Sequence, residues 1–266
     1  MINVALFGAN GKMGREVIKA LSRERDLSLI ATIGRLFASN DEIKFYEDSD
    51  HKVKIQWIKP IVHQSVNDID VVIDFSEPNA SLNCLRFCTE NSIRFVSGTT
   101  GFNEEHHREI IDLSKRTPIF LSSNFSRGVA MVSTLLEYIS SKLGNETQIS
   151  LEEIHHKDKL DAPSGTAIDL RNTVTKILDK HSIKKDVSIS SKRIGQHVGF
   201  HRATFSFQGE TISVAHEAKD RSVFSLGALA ATRWIIDMPP GLYDMKDLID
   251  RTGRASGREY RMHAPR

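Results

Sequence analysis

Cysteine is nearly missing from this 266-residue chain: the two present, Cys84 and Cys88, stand four positions apart. Two thiols are too few for a metal cluster, and a disulfide would need an oxidising compartment. Both are read as reduced packing residues of one helix. Net charge is almost missing too, with 36 Lys and Arg against 34 Asp and Glu and a formal balance of +2. That leaves no general attraction for nucleic acid or an acidic membrane, so any positive potential must be local. No apolar run approaches the roughly 20 residues that cross a bilayer. The chain starts directly in Ile2-Asn3-Val4-Ala5-Leu6-Phe7, without a basic leader or a small-residue cleavage site. A cytoplasmic location is therefore expected. Repeats and low-complexity tracts are also lacking. What remains is ordinary: 39% hydrophobic and 26% charged residues, a globular balance, in a length that fits one large domain or two modest ones.

The first half alternates short apolar runs with helical patterns. Ile2–Phe7 reads as a strand, and 12–23 as a helix with Met13, Val17, Ile18 and Leu21 on its apolar stripe. Further strands are expected at Leu27–Ile33, 70–75, 93–97 and Pro118–Leu121, with helices through 82–88 and 104–115. Continuous apolar strands separated by helices predict a parallel sheet covered on both faces. Residues 37–66 are polar and irregular, with one more strand possible at 52–58. From about Gly128 the pattern changes. A long helix over 129–142 precedes an alternating strand over 147–154, a helix opening near Ser164, and two strands, 203–207 and 211–215, joined by Gln208-Gly209-Glu210. Such a hairpin belongs to an antiparallel or mixed sheet. A last helix is expected at 227–236. The fold class expected is α/β, with residues 1–126 as a parallel-sheet domain to which 237–266 return. Residues 127–236 would form a smaller α+β domain.

The first strand runs into Gly8-Ala9-Asn10-Gly11-Lys12-Met13-Gly14-Arg15 and then a helix. Glycines allow the tight turn and a close backbone approach, and the helix N-terminus offers orphan N–H groups and a positive dipole end to a pyrophosphate. The spacing G-x-x-G-x-x-G is a variant of the dinucleotide-binding fingerprint. Its position directly between a strand and a helix makes the Rossmann-type reading stronger than that of a bare structural turn. At the end of the second strand an acid usually meets the adenosine ribose, whereas here Gly34 and Arg35 stand. Gly34 leaves room for a 2′-phosphate and Arg35 could pair with it, which favours NADPH over NADH; an ordinary solvated arginine is the alternative. Other strand ends carry small polar loops: Asp74-Phe75-Ser76, Gly98-Thr99-Thr100 and Ser122-Ser123-Asn124-Phe125. Ligands of open parallel sheets bind at such carboxyl ends, so Phe75 is a candidate wall and Gly98–Thr100 candidate backbone partners of a nicotinamide.

The densest chemical signal is Glu153-Ile154-His155-His156-Lys157-Asp158-Lys159-Leu160-Asp161-Ala162-Pro163-Ser164-Gly165-Thr166. Two His and two Lys at a strand end make a local cationic pocket, which suits a small anionic substrate. Gly165 and Thr166 open a helix whose N-terminus suits a carboxylate. A His and a Lys beside a substrate can deliver a proton while a hydride arrives from a nicotinamide. Zinc is the competing reading. Neighbouring residues on a strand face opposite ways, so His155 and His156 cannot readily hold one ion, and no metal is assigned. His181, His197 and His201 show no readable spacing.

These segments resemble the 4-hydroxy-tetrahydrodipicolinate reductase (dihydrodipicolinate reductase) family over nearly the whole chain. The resemblance rests on Gly8–Arg15, Asp74-Phe75-Ser76, Gly98–Phe102, Asn124-Phe125-Ser126, His155–Thr166, His216–Arg221 with Phe224, and Gly241–Met245. It implies an NAD(P)H-dependent reduction of a cyclic hydroxy-dicarboxylate, with loss of water, in diaminopimelate and lysine biosynthesis. It also implies that His155 is a proton donor and acceptor and Lys159 a proton donor. His156, Gly165 and Thr166 would hold substrate carboxylates. The cofactor would lie on Gly8, Ala9, Asn10, Gly11, Lys12 and Met13, on Arg35, on the loops at 98–100 and 122–125, and near Arg221 and Phe224. A homotetramer built through the second domain's sheet is implied as well. The chain departs from the family pattern at Gly34, where many members carry an acid, and at Glu77, where many carry a basic residue. Two other functions compete: a two-domain dehydrogenase acting on aspartate or homoserine, and a non-catalytic dinucleotide sensor. Neither needs the His-His-to-Thr166 string.

Overall fold

In a computed structural model of the chain, the described residues are 1–33, 44–48, 51–55, 68–143 and 147–250. In chain order they form β1 (Ile2–Phe7), α1 (Lys12–Leu21), β2 (Leu27–Ile33), β3 (Lys44–Asp48), β4 (His51–Ile55), β5 (Val71–Asp74), α2 (Pro78–Glu90), β6 (Arg94–Ser97), α3 (Glu104–Ser114) and β7 (Pro118–Leu121). There follow α4 (Arg127–Lys142), β8 (Gln148–His155), α5 (Gly165–Lys180), β9 (Val187–Arg193), β10 (Gly199–Phe207), β11 (Glu210–Ala218), α6 (Ser222–Ile235), β12 (Gly241–Tyr243) and α7 (Met245–Ile249). They fall into two compact units, residues 1–125 together with Phe224 onward, and Ser126–Val223.

The first unit is built on a six-stranded sheet in the order β12-β7-β6-β5-β1-β2, every neighbouring pair parallel. Strands covered on both faces should be apolar at successive positions, and Val4, Ala5, Leu6, Val71, Val72 and Ile73 are all fully buried. Cys84 and Cys88 are buried, free thiols of α2, as their helical spacing predicts. β3 and β4 pair as a separate antiparallel hairpin; the strand expected near 52–58 is β4, and its partner β3 was not foreseen.

The second domain was expected to run through residue 236. Instead α6 belongs to the first unit from Phe224 on. The cause is packing: a Cβ at Gly227 would lie 1.8 Å from the Phe125 carbonyl oxygen, so glycine alone allows helix and chain to meet there. Trp234 packs edge-on against Phe120 and Tyr243 at centroid distances of 6.0 and 5.1 Å, and Arg233 pairs with Asp26 at 2.7 Å.

The second unit carries a four-stranded sheet in the order β11-β10-β8-β9. β8 and β11 flank β10 antiparallel, and β9 lies parallel to β8, so the sheet is mixed. Its core joins Val132 and Leu136 of α4, Leu170, Val174 and Leu178 of α5, and Ile149, Leu151, Val187, Ala203 and Phe205 of the sheet. One face of β8 therefore reads Ile149, Leu151, Glu153, His155, all buried. The apolar face ends in a carboxylate and an imidazole.

Candidate active site

In the first unit the glycine turn has the shape a dinucleotide needs. Gly8 sits at φ +83, and a Cβ there would come within 2.2 Å of the Phe75 carbonyl oxygen, so the position is closed to other residues. A Cβ at Gly14 would stand 2.3 Å from the Gly8 oxygen, which lets α1 seat tightly against the turn. Gly11 is the N-cap of α1, no side chain caps this end, and no acid occupies the first turn. The donors and dipole of the helix are thus left to an external anion. Asn10, Gly11 and Lys12 are exposed beside them, whereas Ala9 is buried. These features fit a bound pyrophosphate.

The other strand ends converge in part. A Cβ at Gly98 would meet the Phe75 ring at 2.1 Å, so ring and loop are in direct contact. Thr100 is exposed and Thr99 buried, with the Thr99 hydroxyl donating to Asp74 at 2.8 Å. Ser122 donates to the Asn124 carbonyl at 2.8 Å, which fixes the loop in which exposed Ser123 lies. The Phe125 ring is buried against Phe75 and Phe120, so only its backbone is left for a ligand. Gly34 and Arg35 lie outside the described residues. Arg221 is an exposed residue of the second unit, and the half-buried Phe224 opens the return to the first.

In the second unit the cationic string and three residues from elsewhere form one cluster. His155 is 7% exposed and Glu153 not at all. The Glu153 carboxylate pairs through Oε2 with His155 Nδ1. Its Oε1 accepts from Arg193 Nη1 at 2.8 Å and from the Ser164 N–H at 3.4 Å. The His201 ring stacks edge-on to His155 at 5.1 Å, with Nε2 3.3 Å from Ser164 Oγ. Lys159 Nζ lies 2.7 Å from Asp161 Oδ1. His156 is half-buried, and Gly165 is exposed at the first position of α5, where an added Cβ would touch nothing within 4 Å. Ser164 caps this helix by accepting from the Ala167 N–H at 3.2 Å. Glu153, His155 and His201 bring donor atoms within 4.8 Å of one another, yet the Arg193 guanidinium already balances the carboxylate, and the cluster is complete in charge without a cation.

Burial sets the protonation states. It pushes the Glu153 carboxyl up, but the donors around it, Arg193 and His155 among them, more than reverse this and hold it below the usual range. Burial lowers His155, while Glu153 works the other way. His201 is pushed down to about 4 from 6.5, by burial first and then by the neighbouring His155. The folded chain thus refuses a proton at His201 that the unfolded chain accepts below about pH 6.5, so stability falls with falling pH until about pH 4. His201 alone is expected to remove about 2 kcal/mol between roughly pH 7 and pH 5, and His155 and His216, both also lowered by burial, act in the same direction. Urea unfolding of wild type and His201→Gln at both pH values measures this. Equal losses in the two proteins would remove His201 from the account.

The sequence gives no role to Glu153, Arg193 or His201. The only available sign was period-two alternation, which sets Glu153 on the buried face of its strand.

A parallel sheet with a phosphate-shaped glycine turn, joined to a separate unit bearing a buried acid–imidazole pair, defines the class of two-domain dinucleotide-dependent oxidoreductases. Family profiles described as dihydrodipicolinate reductase, N-terminus, and dihydrodipicolinate reductase, C-terminus, match residues 2–125 and 128–249. The chain belongs to the dihydrodipicolinate reductase family. It is 37% identical to a 4-hydroxy-tetrahydrodipicolinate reductase of Wigglesworthia glossinidia brevipalpis, over 95% of each chain. It is 36% identical to one of Pelagibacter ubique, over 94% of this chain and 98% of the other. A solved dihydrodipicolinate reductase from Paenisporosarcina sp. TG-14, described as dipicolinate-bound, superposes with a TM-score of 0.78 at 21% identity, over 93% of this chain and 99% of that one. At that identity the likeness speaks for the fold.

Proposed function

We propose that this chain reduces 4-hydroxy-tetrahydrodipicolinate to tetrahydrodipicolinate with a reduced nicotinamide cofactor, in diaminopimelate and lysine biosynthesis. The observation that carries this reading is the cluster at the end of β8. There a buried carboxylate holds His155 while Lys159 stands a few residues on, in the string shared with the family. The reaction balances as substrate plus hydride plus proton giving product plus water. The bound nicotinamide supplies the hydride.

The residues of this chain do the rest. The turn from Gly8 to Met13 holds the pyrophosphate, and the loops at 98–100 and 122–125, with Phe75 and Phe224, shape the remaining cofactor site. His156, Gly165 and Thr166 bind the substrate carboxylates, where the positive end of α5 favours an anion. Lys159 donates a proton, and His155 exchanges one through Nε2. Gly34 and Arg35 support a preference for NADPH, with NADH also used. The family resemblance implies a homotetramer built through the second unit's sheet, and a biosynthetic enzyme of this kind is assigned to the cytoplasm. Among the described residues no helix is long and apolar enough to cross a membrane.

The test is nicotinamide oxidation with substrate generated by the preceding synthase. Synthase-dependent oxidation, faster with NADPH, is expected. Cofactor binding without any oxidation would overturn the assignment.

A further inference from the structure

We propose that Glu153 and Arg193 act together as positioning residues: Glu153 fixes the imidazole of His155, and Arg193 fixes Glu153 and ties it to the loop that carries Lys159. The proposal rests on the reading of His155 and Lys159 as the proton-handling groups.

The starting point is energetic. Glu153 is fully buried and follows Ile149 and Leu151 on the core face of β8. An apolar residue there would continue the core, whereas an ion must be compensated bond by bond. The compensation present is directed at His155. The two side chains lie two apart on one strand, so they share a face, and Oε2 accepts the hydrogen bond from Nδ1. A carboxylate accepts only, so Nδ1 carries hydrogen and Nε2 is left as the exchanging atom. A Cβ at residue 199 would stand 3.2 Å from that Nε2, and glycine there keeps its surroundings open. As Nε2 takes a proton the Glu153 charge supports the imidazolium, and as it gives one up the same bond preserves the tautomer. Glu153 itself remains a carboxylate throughout.

Arg193 has the shape for its part. β9 runs parallel to β8 with Arg193 opposite His155. Nη1 donates to Glu153 Oε1 at 2.8 Å and to the Lys192 carbonyl at 2.9 Å, and Nη2 donates to the Asp161 backbone carbonyl. Asp161 in turn pairs with Lys159. One rigid fork therefore spans the strand end that presents His155 and the loop that presents Lys159. A lysine at 193 would keep the charge and lose the fork. The charged and titratable groups around His155 are Glu153 on its own strand, Lys159 on the loop, Arg193 on β9 and His201 on β10. His201 is held neutral by burial and does not compete for the carboxylate.

Three measurements test this on the full-length protein. Nitrogen-15 shifts of His155 in the wild type should report the Nδ1–H tautomer; the Nε2–H tautomer would overturn the proposal without any variant. Glu153→Gln should lower kcat ~10–10²-fold, the usual effect of removing an outer-shell partner, with KM and NADPH affinity within about twofold. The His155 limb of its pH profile should move to lower pH, because the carboxylate no longer favours the protonated ring. Arg193→Lys should lose kcat while retaining charge and cofactor binding. Unchanged kcat and pH limb in Glu153→Gln, or a loss confined to thermal stability, would leave the pair a structural ion pair and sink the idea. His155→Gln separates this from the underlying reading. Full activity there refutes the catalytic assignment itself, whereas an inactive His155→Gln beside a fully active Glu153→Gln refutes only the positioning role.

Discussion

Replacing Lys159 by Ala is expected to lower kcat ~10²–10⁴-fold while KM and NADPH affinity change little, because a proton donor acts mainly in the transition state. Little stability should be lost with it. The Lys159 side chain is 23% exposed, and its partner Asp161 is 58% exposed; an ion pair open to water on one side contributes at most about 1 kcal/mol. The loop keeps its other anchor, the Arg193 bond to the Asp161 carbonyl. Folding and cofactor binding thus serve as internal controls. Lys159→Arg sharpens the experiment. It preserves a positive charge for a dicarboxylate, yet a guanidinium does not release its proton. If Lys159 donates, Arg should keep KM near the wild-type value and leave kcat low. If Lys159 only attracts the substrate, Arg should restore both. Steady-state rates with synthase-generated substrate decide between the two, and full turnover by the alanine variant would remove Lys159 from the mechanism.

The parts of this protein legible in its sequence are those in which a local pattern determines the structure. Val4-Ala5-Leu6 and Val71-Val72-Ile73 are continuous apolar runs, and only strands buried on both faces call for them. The turn from Gly8 to Gly14 announces itself because backbone approaches at Gly8 and Gly14 leave no space for a side chain. The candidate string is local as well, since one strand end, one loop and one helix start supply His155, Lys159 and Gly165 within a dozen positions. The partners that tune it are not local. Arg193 reaches Glu153 across 40 positions, and His201 reaches Ser164 across 37. Those separations are set by strand pairing in a mixed sheet, which no spacing rule encodes. β9, Val-Ser-Ile-Ser-Ser-Lys-Arg, has too little apolar character to stand out, so Arg193 went unread with it. Helix α6 was read correctly as a helix but assigned to the other domain, because its partners Phe125, Asp26 and Phe120 lie far away in sequence.

Asp74 was legible as a strand end and not as what it is, a buried hub. It is fully shielded from solvent and accepts from four hydroxyls: Ser76 and Ser81 at 2.5 Å, Ser97 at 2.7 Å and Thr99 at 2.8 Å. Ser76, Ser97 and Thr99 stand at strand ends assigned to the cofactor, and Ser81 lies in the first turns of α2. One side chain thereby sets the relative placement of three segments. Asp74→Ala leaves four hydroxyls without their acceptor, three of them on buried residues, and the expected loss is about 3–5 kcal/mol, typical of opening a buried polar network. In a protein of this size that lowers Tm by roughly 2–4 °C per kcal/mol. Asp74→Asn should do much less harm. It keeps one carbonyl acceptor, and hydroxyls can turn to accept from the new amide. NADPH affinity should track the same order, since loops 75–76 and 97–99 lose their common anchor. Calorimetry and cofactor titration on both variants provide the check. An alanine variant as stable as wild type would mean that the hydroxyls find other acceptors. An alanine variant that is destabilised yet binds NADPH normally would show that the hub holds the fold without shaping the cofactor site.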